Sequence, residues 1–505
     1  MRDSTPEKYA LPISWVWSTI AEIALQVITG NTPSKKDDSN YGGDIPFVKP
    51  PELLDRPVYD SVDKLSKKGS KSARILPKHS VLVSCIGILG KTGLNKIPIG
   101  FNQQINAIIF PAYLNPFFGF YYAQTSYLKQ WMTKLASATT LPIVNKSKFE
   151  SIPIPLPPLP EQHRIVAKIE ELFTRLDAGI KSLKNAQAQL KRYRQSVLKA
   201  AVEGRLTAEW REQGKDEYEP ADKQLKCILK ERRERWEAEQ LAKYKSKGKK
   251  PPRNWQDKYK EPTPPNTTNL PELPEGWIWC TCDQLTIKIV DGTHHTPKYT
   301  EQGIPFISVK DVRDNKIYFN ACKYISEEEH IRLTQRCFPQ KGDVLITKSG
   351  TIGRTAVVDR HHEFSLFVSV ALLKRCSEAI YSKYLKLFLD GYIQSINIQQ
   401  SIKGGLIKNL HLEDLRIVPL RLVPEREQKE IVKKVDQLYS IIEKTDLLIK
   451  SELKRAQSLR QTILKRAFDG KLVSQDPNDL PASVLLKRIK AEEAKYKKSK
   501  QMEIL

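Results

Sequence analysis

The chain has 505 residues, too many for one hydrophobic core, so at least two domains are expected, each large enough to fold without disulfides or metals. Lys and Arg outnumber Asp and Glu by 83 − 58 = 25, a balance that points to a polyanionic partner, nucleic acid ahead of an anionic membrane surface. There is no run of about 18 to 20 apolar residues, and Met1-Arg2-Asp3-Ser4 lacks the apolar stretch of a signal peptide. The seven cysteines are an odd number in no disulfide-like pattern, so a cytoplasmic protein without membrane association is expected.

Leu11-Pro12-x-x-Trp15-x-Trp17 opens the chain and returns as Leu273-Pro274-x-x-Trp277-x-Trp279, and further motifs follow in order at separations of about 259 to 266 residues. Ile45-Pro46-Phe47 reappears as Ile304-Pro305-Phe306. Val81 to Ser84 and Val344 to Thr347, bounded by turn signals, predict buried strands; each leads into a glycine turn, Gly87-Ile88-Leu89-Gly90-Lys91-Thr92 and Gly350-Thr351-Ile352-Gly353-Arg354-Thr355. Tyr and Leu at helical spacing predict helices over Asn115 to Lys134 and Ala379 to Gln399. The segments 11–157 and 273–421 are therefore read as two copies of one mixed α/β (α+β) domain.

Each copy runs on into a long helix. Ile169, Leu176, Leu183, Leu190 and Val197 fall seven apart, as do Val435, Ile442, Ile449, Ala456 and Ile463. Ile165, Leu172, Ala186, Tyr193 and Ala200 fill a companion series, matched by Ile431, Leu438 and Leu459; Gly179, Thr445 and Glu452 interrupt it. Heptads sustained in this way mark a coiled-coil seam, and two equivalent helices most economically bury their stripes against each other; a third helix from another protein could share the surface. About 40 residues at ~1.5 Å each make a rod of roughly 60 Å. Both helices end alike, in Arg194-Gln195-x-x-Leu198-Lys199 then Gly204-x-Leu206, and in Arg460-Gln461-x-x-Leu464-Lys465 then Gly470-x-Leu472. Between the copies, a charged and Pro-rich stretch reads as an exposed, partly helical connector that resembles the tail. A solvated helix and a docked one are equally open readings of these charged segments.

Cys85 to Thr92 comes within one residue of a phosphate-cradling P-loop, with Cys85 where the first glycine belongs. The second copy keeps only the strand, the glycine turn and a cation, so nucleotide hydrolysis is not expected. A strand-end turn carrying Lys91 or Arg354 suits a DNA phosphate or base; a solvated tight turn is the equal alternative. Cys280-x-Cys282 with His294-His295 has no counterpart in the first copy, and no metal site is expected. No Gly-x-Ser-x-Gly, His-Glu-x-x-His or Asn/Asp-Pro-Pro-aromatic motif is present, and the chain reads as a binder rather than an enzyme.

Two divergent domains, each followed by Pro157-Pro158-Leu159-Pro160-Glu161-Gln162 or Val423-Pro424-Glu425-Arg426-Glu427-Gln428 at the head of a heptad helix, resemble the specificity (S) subunit of type I restriction-modification systems over essentially the whole chain. The second of these heads reads as carrying an insertion and hence a changed turn. The resemblance implies target recognition domains at 1–159 and 271–422, spacer helices at 160–206 and 423–473 pairing as an antiparallel coiled coil in a pseudo-two-fold elongated molecule, a charged linker at 207–270 and a helical tail at 474–505. It implies a non-catalytic subunit in which each domain reads half of a bipartite, asymmetric target in double-stranded DNA. Two modification (methyltransferase) subunits would dock on the helices, and restriction/translocase subunits would join. S-adenosylmethionine, ATP and Mg would serve those partners, with no cofactor bound here. A self-contained DNA-modifying enzyme and a coiled-coil scaffold with nonspecific DNA affinity are the rivals.

Candidate DNA-facing residues are those where the copies share a frame and differ in chemistry: Asn102, Gln103 and Gln104 against Ser365, Leu366 and Phe367, and Asn31 with Thr32 against His294 and His295. Lys49 and Lys310 read as shared phosphate-holding cations. Lys91, Thr92, Asn145, Lys146, Lys348, Ser349, Arg354, Lys403 and Lys408 complete the set.

Overall fold

The computed structural model describes residues 8–137, 140–214, 219–359, 362–403 and 409–502. Lys408 therefore lies outside the described residues, and Lys403 closes a helix, Ser382–Lys403, in which its side chain is not described. The chain divides into two compact units, 1–186 with 448–505, and 187–447. The boundary cuts both long helices, Leu159–Val202 and Glu425–Phe468, so each unit holds one globular domain, the start of one long helix and the end of the other.

In the first unit a five-stranded sheet runs in the order Gln26–Thr29, Ile105–Ile109, Val81–Ser84, Thr92–Asn95, Arg56–Val58, antiparallel but for its last pair. A four-stranded sheet packs with it: Asp63–Leu65, Tyr41–Val48, Ile99–Phe101, Ile75–Leu76. The second unit repeats the plan with Thr286–Asp291, Val370–Arg375, Val344–Thr347, Thr355–Val357, and with Lys323–Ile325, Ile304–Ile307, Ser365–Leu366. Val81–Ser84 and Val344–Thr347 are the buried strands expected from their apolar runs, with both faces covered. The helix expected over Asn115 to Lys134 is two, Pro116–Ala123 and Ser126–Leu135, because the Thr125 hydroxyl caps the second by accepting from the Leu128 amide. Its counterpart, Ser382–Lys403, has no such break.

Within each unit the long helices pack antiparallel. In the second, Gln187 bonds Asp446 at 2.9 Å and Arg194 pairs with Glu443 at 3.7 Å, one number rising as the other falls. In the first, Arg460 meets Asp177 at 2.8 Å and lies over the Phe173 ring. The heptad series is the buried seam: Ile169, Val197, Val435, Ile442, Ile449, Ala456 and Ile463 are all under 9% exposed, and Leu176, Leu183 and Leu190 are half-buried. The companion series fails in places, since Tyr193 and Leu459 are 49% and 47% exposed. Leu198 and Leu464, one position past the seam, are buried instead, with Ala201 and Ala467. At its last turns each helix faces a globular domain as well as its partner helix, which rotates the buried stripe off the heptad.

The repeated motifs meet at one joint per unit. Gly204 (φ 76°) ends the central helix in the left-handed region, and a Cβ there would lie 2.8 Å from the Trp277 ring; Gly470 (φ 69°) ends the distal helix against Pro12 and Trp15 in the same way. The Trp15 indole donates to Glu161 at 2.9 Å, and the Trp277 indole to Glu427 at 2.7 Å. Gln162 donates to the Pro157 carbonyl and accepts from the Asn115 amide; Gln428 does the same with Val423 and Tyr381. The amides of Gln162 and Gln428 both close on a proline carbonyl, Pro158 and Pro424. The two heads therefore correspond residue for residue, with Arg426 standing where the first has Pro160. The expected insertion and altered turn do not exist.

The charged segments are docked helices, which settles the alternative left open by their composition. Ala221–Ser246 buries Ala221 and Ile228 against the second domain, and Ala482–Met502 buries Ala482 and Ile489 against the first. Equivalent bonds start them, Ala221 amide to Gly276 carbonyl and Ala482 amide to Ser14 carbonyl. Beyond the first helix the chain folds back so that Trp255 stacks on Trp236. The stretch 207–270 is thus largely a part of the second unit rather than a free connector.

The two joints differ in charge. Glu427 is 1% exposed and pairs with Arg211 at 2.5 Å, whereas Glu161 accepts from Trp15 and Gln475 and burial holds its carboxyl above the ordinary 4.5. Glu427→Gln should therefore cost about 3 kcal/mol by stranding a mostly buried guanidinium, and Glu161→Gln about 1 kcal/mol or less. Chemical denaturation of the two variants measures the difference. Because the folded value of Glu161 is raised, its proton stabilises the first unit as pH falls toward 4.5 and that contribution is lost as pH rises through the folded value; Glu161→Gln should remove this dependence.

Candidate nucleic-acid interface

The glycine turns close on their own strands. The Ser84 hydroxyl donates to the Ile88 carbonyl and accepts from the Lys91 amide, and the Gly90 amide donates to the Ser84 carbonyl. Thr347 repeats all three bonds with Thr351, Arg354 and Gly353. Gly87, Gly90, Gly350 and Gly353 all have φ between 73° and 81°, a region that L side chains avoid, which is why the turn needs two glycines. The amides of Gly90, Lys91, Gly353 and Arg354 are thus engaged internally and are not free to cradle a phosphate. What the turn offers is the cation at its end. Lys91 and Arg354 are half-buried, and one Arg354 nitrogen lies 3.4 Å from the Val312 carbonyl.

Thr92 is fully buried and donates to Asp55 at 2.6 Å, so it holds the turn and faces no ligand. Asn145 caps the helix Lys146–Glu150, and Lys146 pairs with Glu150 at 3.6 Å. Asn102 is 8% exposed and tied at both ends of its amide to Gln104. Asn31 donates to the Ser72 carbonyl and accepts from the Arg74 amide, both at 2.7 Å, so its amide clasps backbone and has no free edge for a base. Thr32 and Gln103 remain at the surface, joined by a 2.5 Å hydrogen bond.

The copies align differently from the sequence expectation. Gly100 pairs with Phe47, and Ser365 with Phe306; Phe101 pairs with Val48, and Leu366 with Ile307. Asn102, Gln103 and Gln104 therefore stand opposite Phe367, Val368 and Ser369, two positions later than expected, because the second copy has two more residues before this strand. Gly30 and Gly292 donate to Ile105 and Val370, which sets Asn31 opposite Thr293 and Thr32 opposite His294. Lys49 and Lys310 are not equivalent either. Lys49 and Ser308 both donate their amides to a carboxylate three residues on, Glu52 and Asp311, so Lys49 matches Ser308. The Lys49 ammonium pairs with Asp63, and Lys310 is exposed.

In the second domain the predicted His294, His295 and Lys348 converge on residues that sequence reasoning missed. The Asp291 carboxylate, 3% exposed, takes Lys348 at 2.8 Å, Arg336 at 2.6 Å and His294 at 3.2 Å. Burial works to raise this carboxyl, but Lys348 and His294 outweigh it and hold it below 3.8. Glu329 takes Arg332 at 2.7 Å and His295 at 3.2 Å, and the Arg332 bond holds its carboxyl below 4.5. Ser349 follows Lys348 half-buried. A cleft of about 290 Å³ opens here, lined by His294, His295, Arg332 and Arg336 over Leu333, Cys337 and Leu366. Nothing in the linear order links Asp291 to Arg336; the sheet edge joins them. Cys280 and Cys282 are fully buried, and burial raises both thiols, which favours the protonated form rather than a thiolate ligand.

Residues 12–191 and 242–455 match the family described as the type I restriction modification DNA specificity domain. The EcoBI type I restriction enzyme specificity subunit of Escherichia coli is 28% identical over 386 residues, 74% of this chain and 71% of that protein. The EcoKI specificity subunit, also of Escherichia coli, is 23% identical over 515 residues and 96% of each. Among solved structures, a chain from "Structural basis underlying complex assembly and conformational transition of the type I R-M system" shares the fold at TM-score 0.64 and 19% identity, over 92% of this chain and 100% of that one. The HsdS subunit from Thermoanaerobacter tengcongensis does so at 0.52 and 20%, over 92% and 98%. With two tandem recognition domains and paired long helices, the chain belongs to the type I restriction modification DNA specificity family, as a non-catalytic specificity subunit.

Proposed function

We propose that each recognition domain, within the boundaries 1–159 and 271–422, reads one half of a bipartite, asymmetric sequence in double-stranded DNA. The observation that carries this is a repeated frame with unlike tips: Thr32 stands opposite His294, and Gln103 opposite Val368, on matching strands and turns. Unlike tips on like frames give unlike half-sites, whereas a nonspecific scaffold has no use for the difference. The paired helices set the gap between the half-sites and carry two modification subunits. Ile441, Leu447, Leu448 and Tyr193, 49–67% exposed on those helices, support a docking role. Restriction/translocase subunits join this assembly, and S-adenosylmethionine, ATP and Mg act in the partners. The work is done in the cytoplasm, which the seven free cysteines suit.

Incubating the purified chain with DNA and labelled S-adenosylmethionine, with and without the modification subunit, tests the assignment of chemistry; methyl transfer by the chain alone overturns it. Exchanging residues 273–421 for another recognition domain is expected to change one half of the methylated motif, read by methylome sequencing, and a change in both halves contradicts modularity. Adding a helical turn after Leu176 should alter the gap or abolish assembly.

If Lys91 and Arg354 hold phosphate, Lys91→Ala and Arg354→Ala each weaken the assembled complex alike on specific and nonspecific duplexes and lower the salt slope by about 1. A changed base preference at one position would instead make that cation a base reader.

A further inference from the structure

Arg332 and Arg336 sit one helical turn apart, at and just past the end of the helix Glu327–Thr334, with side chains 61% and 55% exposed. Each guanidinium is held by its own carboxylate, Arg332 by Glu329 at 2.7 Å and Arg336 by Asp291 at 2.6 Å. Arg332 also lies 2.8 Å from the His295 ring nitrogen. A guanidinium has five N–H donors, so a carboxylate on one edge leaves donors for a ligand while fixing the plane of the fork. This fixing lowers the entropy lost when a second bidentate bond forms.

The carboxylates also choose the ligand. Counting the arginines, the lysine and the carboxylates alone, three cations (Arg332, Arg336, Lys348) less two carboxylates (Asp291, Glu329) leave 3 − 2 = +1 around the cleft. Anions placed against the arginines weaken the charge attraction on which phosphate binding chiefly depends. An oriented fork of reduced charge suits a neutral edge with two acceptors, and on double-stranded DNA that is the O6/N7 edge of guanine in the major groove. The apolar floor of Leu333, Cys337 and Leu366 limits competing water. In the first domain the corresponding helix, Lys67–Ser72, is shorter, and the Asn31 amide ties its end to the segment just past the strand Gln26–Thr29.

We propose that Arg332 and Arg336, buttressed by Glu329 and Asp291, are specificity-determining residues that read guanine in the half-site recognised by the second domain. This rests on the functional reading above and adds the base, the residues and the half-site. The test uses the full chain assembled with its modification subunit, on duplexes carrying the motif that the wild-type complex methylates and every single base-pair replacement of it. Arg336→Ala and Arg332→Ala should each lose roughly 5- to 150-fold of the preference for a G·C pair in one half-site, leaving the other half-site unchanged. Arg336→Lys, which keeps the charge, should lose that preference with an unchanged salt slope. Glu329→Gln should relax the same position as Arg332→Ala. Variants that keep full preference, or that lose affinity equally on all sequences with a lower salt slope, overturn the assignment. A wild-type complex with no sequence preference overturns the functional reading itself.

Discussion

A buried carboxylate at the head of each long helix holds each unit together. Glu161 and Glu427, each 1% exposed, receive the indole N–H of Trp15 and Trp277, so the residue leading into the first strand of each domain, Val16–Thr19 or Ile278–Thr281, is hydrogen-bonded to the helix that leaves that domain. The same tryptophan packs on the glycine that ends the other long helix, Gly470 on Trp15 and Gly204 on Trp277. One side chain thus registers three segments that are far apart in sequence. A carboxylate placed out of water must have partners to offset its desolvation, and here those partners are the parts that have to meet. The geometry of the joint is therefore set by hydrogen bonds, which are directional, as well as by apolar packing, which tolerates sliding.

This joint explains why the repeats are not the folding units. The sequence period runs from one Trp-led motif to the next, but each domain takes its second helix end, and its docked charged helix, from the other copy or from the far end of the chain. Ala482 bonds Ser14 as Ala221 bonds Gly276. The tail therefore does for the first domain what the inter-copy segment does for the second. Both long helices are shared between the units, which makes the coiled coil a consequence of the joints at its ends as much as of its heptads.

The frame was legible in the sequence because burial imposes period and composition. The strands Val81–Ser84 and Val344–Thr347, the seam from Ile169 to Val197 and from Val435 to Ile463, and the duplication itself all follow from apolar spacing. The docked helices Ala221–Ser246 and Ala482–Met502 were less legible, because only a few small or apolar residues, such as Ala221, Ile228, Ala482 and Ile489, carry their contacts amid dense charge. The polar tips were legible as places but not as roles. Asn31, Thr92, Asn102 and Asn145 look like readers in sequence, yet each bonds its own loop, helix end or neighbouring turn. Arg332 and Arg336 carry no motif at all and become visible only where Asp291 and Glu329 gather them. Short polar side chains in turns satisfy local backbone first, whereas Arg332 and Arg336 are long side chains reaching from a neighbouring element.

The same division accounts for how a specificity subunit can change its target without losing its fold. The joint uses buried groups whose partners are fixed, so a substitution there is felt by the whole unit. The tips use half-exposed side chains on turns that close through Ser84 or Thr347 irrespective of what the turn carries, Lys91 in one copy and Arg354 in the other. Two-residue differences before the strand Ser365–Leu366 are absorbed without disturbing its pairing to Phe306 and Ile307. The frame thus tolerates changes in length and charge at these turns, and this tolerance is what lets two copies of one domain present different chemistry on the same strands.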